Sequence, residues 1–182
     1  MHPWHDIYVD EELIEGGFPV VIEVPQGSKN KYEIDKETGF LRLDRVLYSA
    51  VHYPANYGFI PRTLCDDGDA LDVLVLAQVP VHPMTIVEAR AIGIMRMSDD
   101  KGGDDKIIAV STRDPAVSDY RDQSQLPSHT MKEITRFFAD YKTLEGKTVE
   151  IAEQGGAAEA NRTIVESLEL YRRYRRGELS SG

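Results

Sequence analysis

The sequence predicts a mainly β (α+β) protein, a small barrel or sandwich of strands carrying two principal helices. Three observations point there. Short strand-like segments follow one another closely through the first 110 residues with Gly and Pro between them, which suits a barrel or sandwich and not βαβ units. Two later stretches, 128–141 and 157–176, instead repeat apolar residues at helical spacing. With 182 residues, 41% hydrophobic and 29% charged, the chain is long enough for one proper core and ordinary for a soluble globular protein. We therefore expect one domain over 1–182: an arm over 1–17, a barrel core with the first helix over 18–151, and a C-terminal helix over 157–176.

Residues 1–17 end in Gly16-Gly17 and read as a polar, mobile arm, although His2 and His5 have a spacing that would also chelate a metal. Phe18 to Val24 is strand-like and closed by Pro25, with Glu23 among its aliphatics. A loop over 26–30 leads to a second strand at 31–35, a turn at Glu37-Thr-Gly39 and an alternating third strand at 41–47. Residues 48–61 hold Tyr48, Tyr53 and Tyr57, either core packing or phenols able to donate to phosphate oxygens. Two longer strands are expected at 71–79 and 85–97, broken by Pro80 and Pro83. An acidic turn from Asp99 to Lys106 feeds a strand at 107–110, and 114–126 is a polar loop.

In the first helix Met131, Ile134, Phe138 and Tyr141 share a face, and Thr130 with Glu133 fits a capping box. A last strand at 147–151 precedes a break at Gly155-Gly156. The second helix presents Ile164, Val165, Leu168 and Tyr171. Its arginines (172, 173, 175 and 176) suit a solvated, dipole-matched C-terminus better than a nucleic-acid patch.

The chemistry concentrates in residues 65–76, where Asp66, Asp67, Asp69 and Asp72 run straight into Val-Leu-Val-Leu76. A hairpin turn explains Asp67 and Gly68. It does not explain Asp72, which shares its side of the strand with Leu74 and Leu76. A carboxylate on a core-directed face costs several kcal/mol unless a cation meets it. Two carboxylates ~4 Å apart also repel by roughly 4 kcal/mol at an effective dielectric of about 20. A bound divalent cation removes both costs, and an acidic turn is the alternative. An EF-hand fails on spacing, because positions 5, 6 and 12 counted from Asp67 are Leu71, Asp72 and Gln78. The second acidic turn, Asp99 to Lys106, is either a solvated hairpin or the other half of the same site.

A net charge of −10 argues against a general nucleic-acid or anionic-membrane binder, but not against an anionic substrate that arrives complexed with metal. No apolar run approaches the ~20 residues of a membrane span, and no secretory signal is expected at this N-terminus. Cys65, the single cysteine, allows no internal disulfide and suits a reducing cytoplasm.

Six segments together carry a resemblance: Lys31-Tyr-Glu-Ile-Asp35, Leu43-Asp-Arg45, Tyr53-Pro-Ala-Asn-Tyr57-Gly-Phe-Ile60, Asp67-Gly-Asp-Ala-Leu-Asp72, Asp99 through Lys106, and Phe137-Phe-Ala-Asp-Tyr-Lys142. In order and spacing, across about residues 18–149, they resemble the soluble family I inorganic pyrophosphatases. That resemblance implies a five-stranded OB-like barrel with flanking helices, and magnesium-dependent hydrolysis of pyrophosphate, bound as its magnesium complex, to two phosphates. By the same resemblance Asp67, Asp72 and Asp104 are ligands of a first metal, and Asp72 also holds a second. Asp99 with Asp104 holds a metal that arrives with substrate, and Glu33 helps with a further one. Several Mg2+ per site are implied, with Mn2+ as a substitute. Asp69 corresponds to the general base. Lys31, Arg45, Tyr57, Lys106, Tyr141 and Lys142 grip the phosphoryl groups, with Tyr53 and Glu23 in support. The short chain is similar to the prokaryotic type, which implies a cytoplasmic homohexamer.

The chain departs from the family pattern at Ala70, where proline is usual, at Met84, where glycine is usual, and at Ala152-Glu-Gln-Gly-Gly156, where a Gly-Trp pair is common. None of these is a proposed ligand. A non-catalytic OB-type binding module is the alternative, and it requires a basic groove with exposed aromatics.

Overall fold

In the computed structural model, which describes residues 1–99 and 102–179, the chain forms nine strands among the described residues: β1 (Phe18–Val24), β2 (Asn30–Ile34), β3 (Leu41–Val46), β4 (Asn56–Phe59), β5 (Asp72–Leu76), β6 (Ile86–Asp99), β7 (Gly102–Gly103), β8 (Lys106–Ser111) and β9 (Glu150–Gly156). Helix α1 (Ser128–Asp140) and helix α2 (Ala157–Arg175) complete the chain. Asp100 and Lys101, part of the expected second acidic turn, lie outside the described residues.

Strand β1 pairs with β4, β4 with β5, β5 with β8, β8 with β6, and β6 back with β1. These five strands close a ring, and this is the five-stranded OB-like arrangement the resemblance implied. All its pairings are antiparallel except β5 with β8, where Asp72 stands beside Lys106. Strands β7 and β9 pair with the long β6, while β2 and β3 form a separate hairpin.

Period-2 alternation divides the buried residues of β5 and β8 between two of the three apolar clusters. Val73 and Val75, with Ile107 and Ala109, share one cluster with Ala160, Ile164 and Leu168 of α2. Leu74 and Ile108 share the other with Ile134, Phe137 and Phe138 of α1. Asp72 and Lys106 continue the alternation of this second face towards its open end. At Gly58 β4 crosses so close to β1 that a Cβ would stand 1.9 Å from the Val21 carbonyl oxygen. No larger residue fits there.

Several expectations change. The stretch 48–61 contains β4, a strand too short to announce itself by alternation. Strand β5 stops at Leu76, short of 79. The anticipated break at Gly155-Gly156 lies inside β9, where a Cβ on Gly155 would meet Glu159 and Ile94. The capping box at Thr130 is absent: α1 starts two residues earlier behind Pro127 with no side-chain cap, and Thr130 lies within it. A capping box forms instead between Asp122 and Gln125. The arm is docked and not a free polar terminus. Trp4, Val9 and Ile14 are buried, and the Trp4 indole donates to the Thr63 carbonyl at 2.8 Å. Burial of one large aromatic outweighs the polarity around it. His2 and His5 stack on each other, and His5 hydrogen-bonds the Tyr171 hydroxyl at 2.8 Å. The arginines of α2 are exposed, as expected, and Arg172 also pairs with Glu11 of the arm and with Glu169.

Met84, where the related pattern has glycine, holds φ at 67°. A side chain in the left-handed region costs roughly 1–2 kcal/mol, partly offset by the greater unfolded-state freedom of glycine. Met84→Gly is therefore expected to raise the free energy of unfolding by about 1 kcal/mol in urea denaturation. An unchanged or lower midpoint would show that the strain is relieved elsewhere.

Candidate active site

The β2–β3 hairpin, the 60–72 connection and the adjoining ends of β5 and β8 surround a cavity of about 710 Å3. Thirteen of the fourteen residues singled out in the sequence line it: Glu23, Lys31, Glu33, Arg45, Tyr57, Asp67, Asp69, Asp72, Asp99, Asp104, Lys106, Tyr141 and Lys142. The exception, Tyr53, is buried beneath, its ring 5.3 Å from Tyr57 and 4.8 Å from Phe137. A larger cavity, about 1160 Å3, lies between the arm and α2 and contains none of these residues. Chemistry and not size locates the site.

Its centre is Lys106, whose side chain is 2% exposed. The ammonium donates to both Asp72 and Asp104 and lies 5.7 Å and 5.9 Å from the ring centres of Tyr57 and Phe138. Burial by itself lowers a lysine, but Asp72 and Asp104 outweigh it and hold this ammonium well above its ordinary range. Asp72 also accepts from the Tyr57 hydroxyl. Burial first, then the charges of Asp72 and Asp104, push that phenol well up, so it remains a donor.

Around this centre Lys31, Arg45, Lys142 and Lys36 each have an acidic partner. Lys31 donates to Glu33 at 3.1 Å and to Asp44 at 3.0 Å, because β2 and β3 set Lys31 opposite Arg45. Arg45 pairs with Asp44 and, at 3.0 Å, with Glu145. Lys142, just past α1, reaches Asp99 at the end of β6 at 2.7 Å. Lys36 pairs with Asp69 and donates to the Gly68 carbonyl at 3.1 Å. Asp44, Glu145 and Lys36 were not singled out in the sequence. Asp44 lies in the Leu43-Asp-Arg45 segment, and its place between Lys31 and Arg45 follows from the hairpin register. Glu145 and Lys36 gave no local signal.

Among the described residues the cavity is lined by ten carboxylates and seven lysines and arginines. The excess negative charge is felt at Asp67. Burial first, then repulsion from Asp69, Asp72 and Asp104, raises this carboxyl although it accepts the Asp69 amide. No three acidic side chains among the described residues are gathered about one point; Lys106 stands between Asp72 and Asp104, and Lys36 pairs with Asp69. The donor set is nonetheless all carboxylate oxygen with charge to spare, which fits hard divalent ions such as Mg2+ or Mn2+ and excludes soft thiolate chemistry. It is also the opposite of the basic groove a nucleic-acid module requires.

Glu23 on β1 is buried against this charge and accepts the Ile34 amide at 2.7 Å. Burial first, then Asp72, raises its pKa from 4.5 to about 8. The fold thus retains a proton that the unfolded chain releases, so metal-free stability falls as pH rises from about 4.5 to 8 and then levels off. Glu23→Gln should flatten this fall, worth on the order of a few kcal/mol, when denaturant midpoints are compared at several pH values in EDTA. Parallel profiles for the two proteins would refute the assignment.

Comparison with known proteins agrees with this geometry. The sequence profile of the inorganic pyrophosphatase family matches residues 20–172. The chain is 50% identical over 173 residues to soluble inorganic pyrophosphatase 2 of Chlamydomonas reinhardtii, covering 95% of this chain and 90% of that protein. It is 52% identical to soluble inorganic pyrophosphatase PPA1 of Solanum tuberosum, covering 95% and 82%. Its structure superposes on the inorganic pyrophosphatase of Thermus thermophilus with a TM-score of 0.88 at 39% identity, over 93% of this chain and 99% of that one. A ring of five strands, a lysine buried between two carboxylates and this match across most of its length together assign the chain to the inorganic pyrophosphatase family.

Proposed function

We propose that this chain, acting as one domain, is an inorganic diphosphatase that hydrolyses pyrophosphate to two orthophosphates with magnesium. The observation that carries the reading is the carboxylate-rich cavity around Lys106, lined by thirteen of the fourteen residues the family pattern selects. Asp67, Asp72 and Asp104 would hold a first ion, Asp72 a second, Asp99 with Asp104 a third, and Glu33 would help with a further one. Bound divalent ions supply positive charge to the phosphoryl oxygens and acidify the attacking water.

The residues of the chain do the rest. Lys31, Arg45 and Lys142 exchange their carboxylate partners for phosphoryl oxygens, which fixes the anhydride in the cavity and neutralises charge as the P–O bond breaks. Lys106, Tyr57 and Tyr141 donate to the same groups from the buried side. Asp69, half-exposed at the cavity wall, accepts the proton of the water that attacks one phosphorus. Water adds to that phosphorus, the bridging oxygen leaves with the other, and two orthophosphates result. The family resemblance further supports a cytoplasmic homohexamer. Among the described residues no helix is long and apolar enough to cross a membrane.

Phosphate release from pyrophosphate tests the reading. Release is expected with magnesium, with manganese as a weaker substitute, and none in EDTA. Asp69→Asn should lose about a hundredfold or more in kcat. Folded wild type that releases no phosphate with either metal would overturn the function, and an undiminished Asp69→Asn would overturn the base.

A further inference from the structure

The arm docks against the turn that delivers Lys36 to Asp69. Gly39, at φ 71°, closes the β2–β3 turn, and a Cβ there would stand 3.0 Å from Pro3 and 3.1 Å from His2. The arm therefore sits directly on the turn. The His2 ring accepts the Trp4 amide at Nδ1 (3.2 Å), so its Nε2 carries the proton and donates to the Lys36 carbonyl at 3.1 Å. Trp4 anchors this contact through Thr63, and Ile34 and Ala70 pack against its cluster. Ile34 lies two residues before Lys36, and Ala70 directly follows Asp69. One aromatic anchor thus backs both sides of the Lys36–Asp69 pair.

We propose that Lys36 is a positioning residue for Asp69, and that the arm, through His2, holds Lys36 in place. The Lys36 ammonium, which also donates to the Gly68 carbonyl, holds the Asp69 carboxylate in one orientation towards the cavity. Both side chains are half-exposed, so the pair adds little to stability and its effect falls on geometry. The inference rests on Asp69 being the base.

The test uses full-length protein with magnesium. Lys36→Met, which keeps the stem and removes the charge, should lower kcat about tenfold with KM within about twofold and an unchanged unfolding midpoint. Lys36→Arg should recover most of the loss. His2→Ala should lower kcat by a smaller factor, add nothing in the Lys36→Met background, and speed exchange of the Gly39 amide, which donates to the Asp35 carbonyl. Unchanged kcat in Lys36→Met, or His2→Ala and Lys36→Met losses that multiply, would overturn the inference. If Asp69→Asn loses activity while Lys36→Met does not, only this inference fails. If Asp69→Asn keeps full activity, the underlying reading of Asp69 fails first.

Discussion

A lysine ammonium cannot be buried alone, and Lys106 is buried. Removing one partner of such a cluster commonly costs about 3–5 kcal/mol, because the remaining charge has no solvent to return to. Asp72 and Asp104 therefore have to be where they are. The parallel register of β5 and β8 sets Asp72 beside Lys106, and Asp104 lies only two residues ahead of Lys106. Tyr57 donates to Asp72, and Phe138 of α1 lies near the same ammonium. The ring of strands and the helix that covers one face thus converge on a single charge.

The outer part of the cavity follows a different rule. Lys31, Arg45, Lys142 and Lys36 are more exposed than Lys106, and each is matched to a carboxylate from another segment or from its own hairpin. The cations of these pairs keep between 13% and 53% of their side-chain surface in solvent, so, unlike Lys106, they can be reached by an incoming anion. A cavity built this way keeps its inner ion pair intact and can release Lys31, Arg45 and Lys142 to an anionic substrate, while Lys36 stays with Asp69. The excess of carboxylates, visible in the raised Asp67 and Glu23, sets the complementary demand for added positive charge.

Elements with strong local signals were legible in the sequence. Phe18–Val24, Lys106–Ser111 and both helices follow from alternation or helical spacing in runs of ordinary length. Where local signal and packing diverge, packing decides. Asn56–Phe59 is four residues of mixed character, and it is a strand because β1 and β5 hydrogen-bond it on both sides. Gly155 and Gly156 read as a break, yet they extend β9 because the approach of Glu159 and Ile94 leaves no room for a Cβ at Gly155. The arm reads as polar, yet Trp4 anchors it.

Sequence by itself determined the family, the carboxylate-rich composition of the cavity and the identity of many residues that line it, because these lie in short segments whose spacing is itself the signal. It also marked Asp72 as a charge in need of a partner. Only the tertiary structure decided which partner: Lys106, 34 residues away, reached through a parallel pairing that no local pattern announces. The same holds for Glu145 beside Arg45, Asp99 beside Lys142 and Lys36 beside Asp69. Each is a contact between segments, set by strand register and loop closure, and such contacts leave no periodicity in the chain.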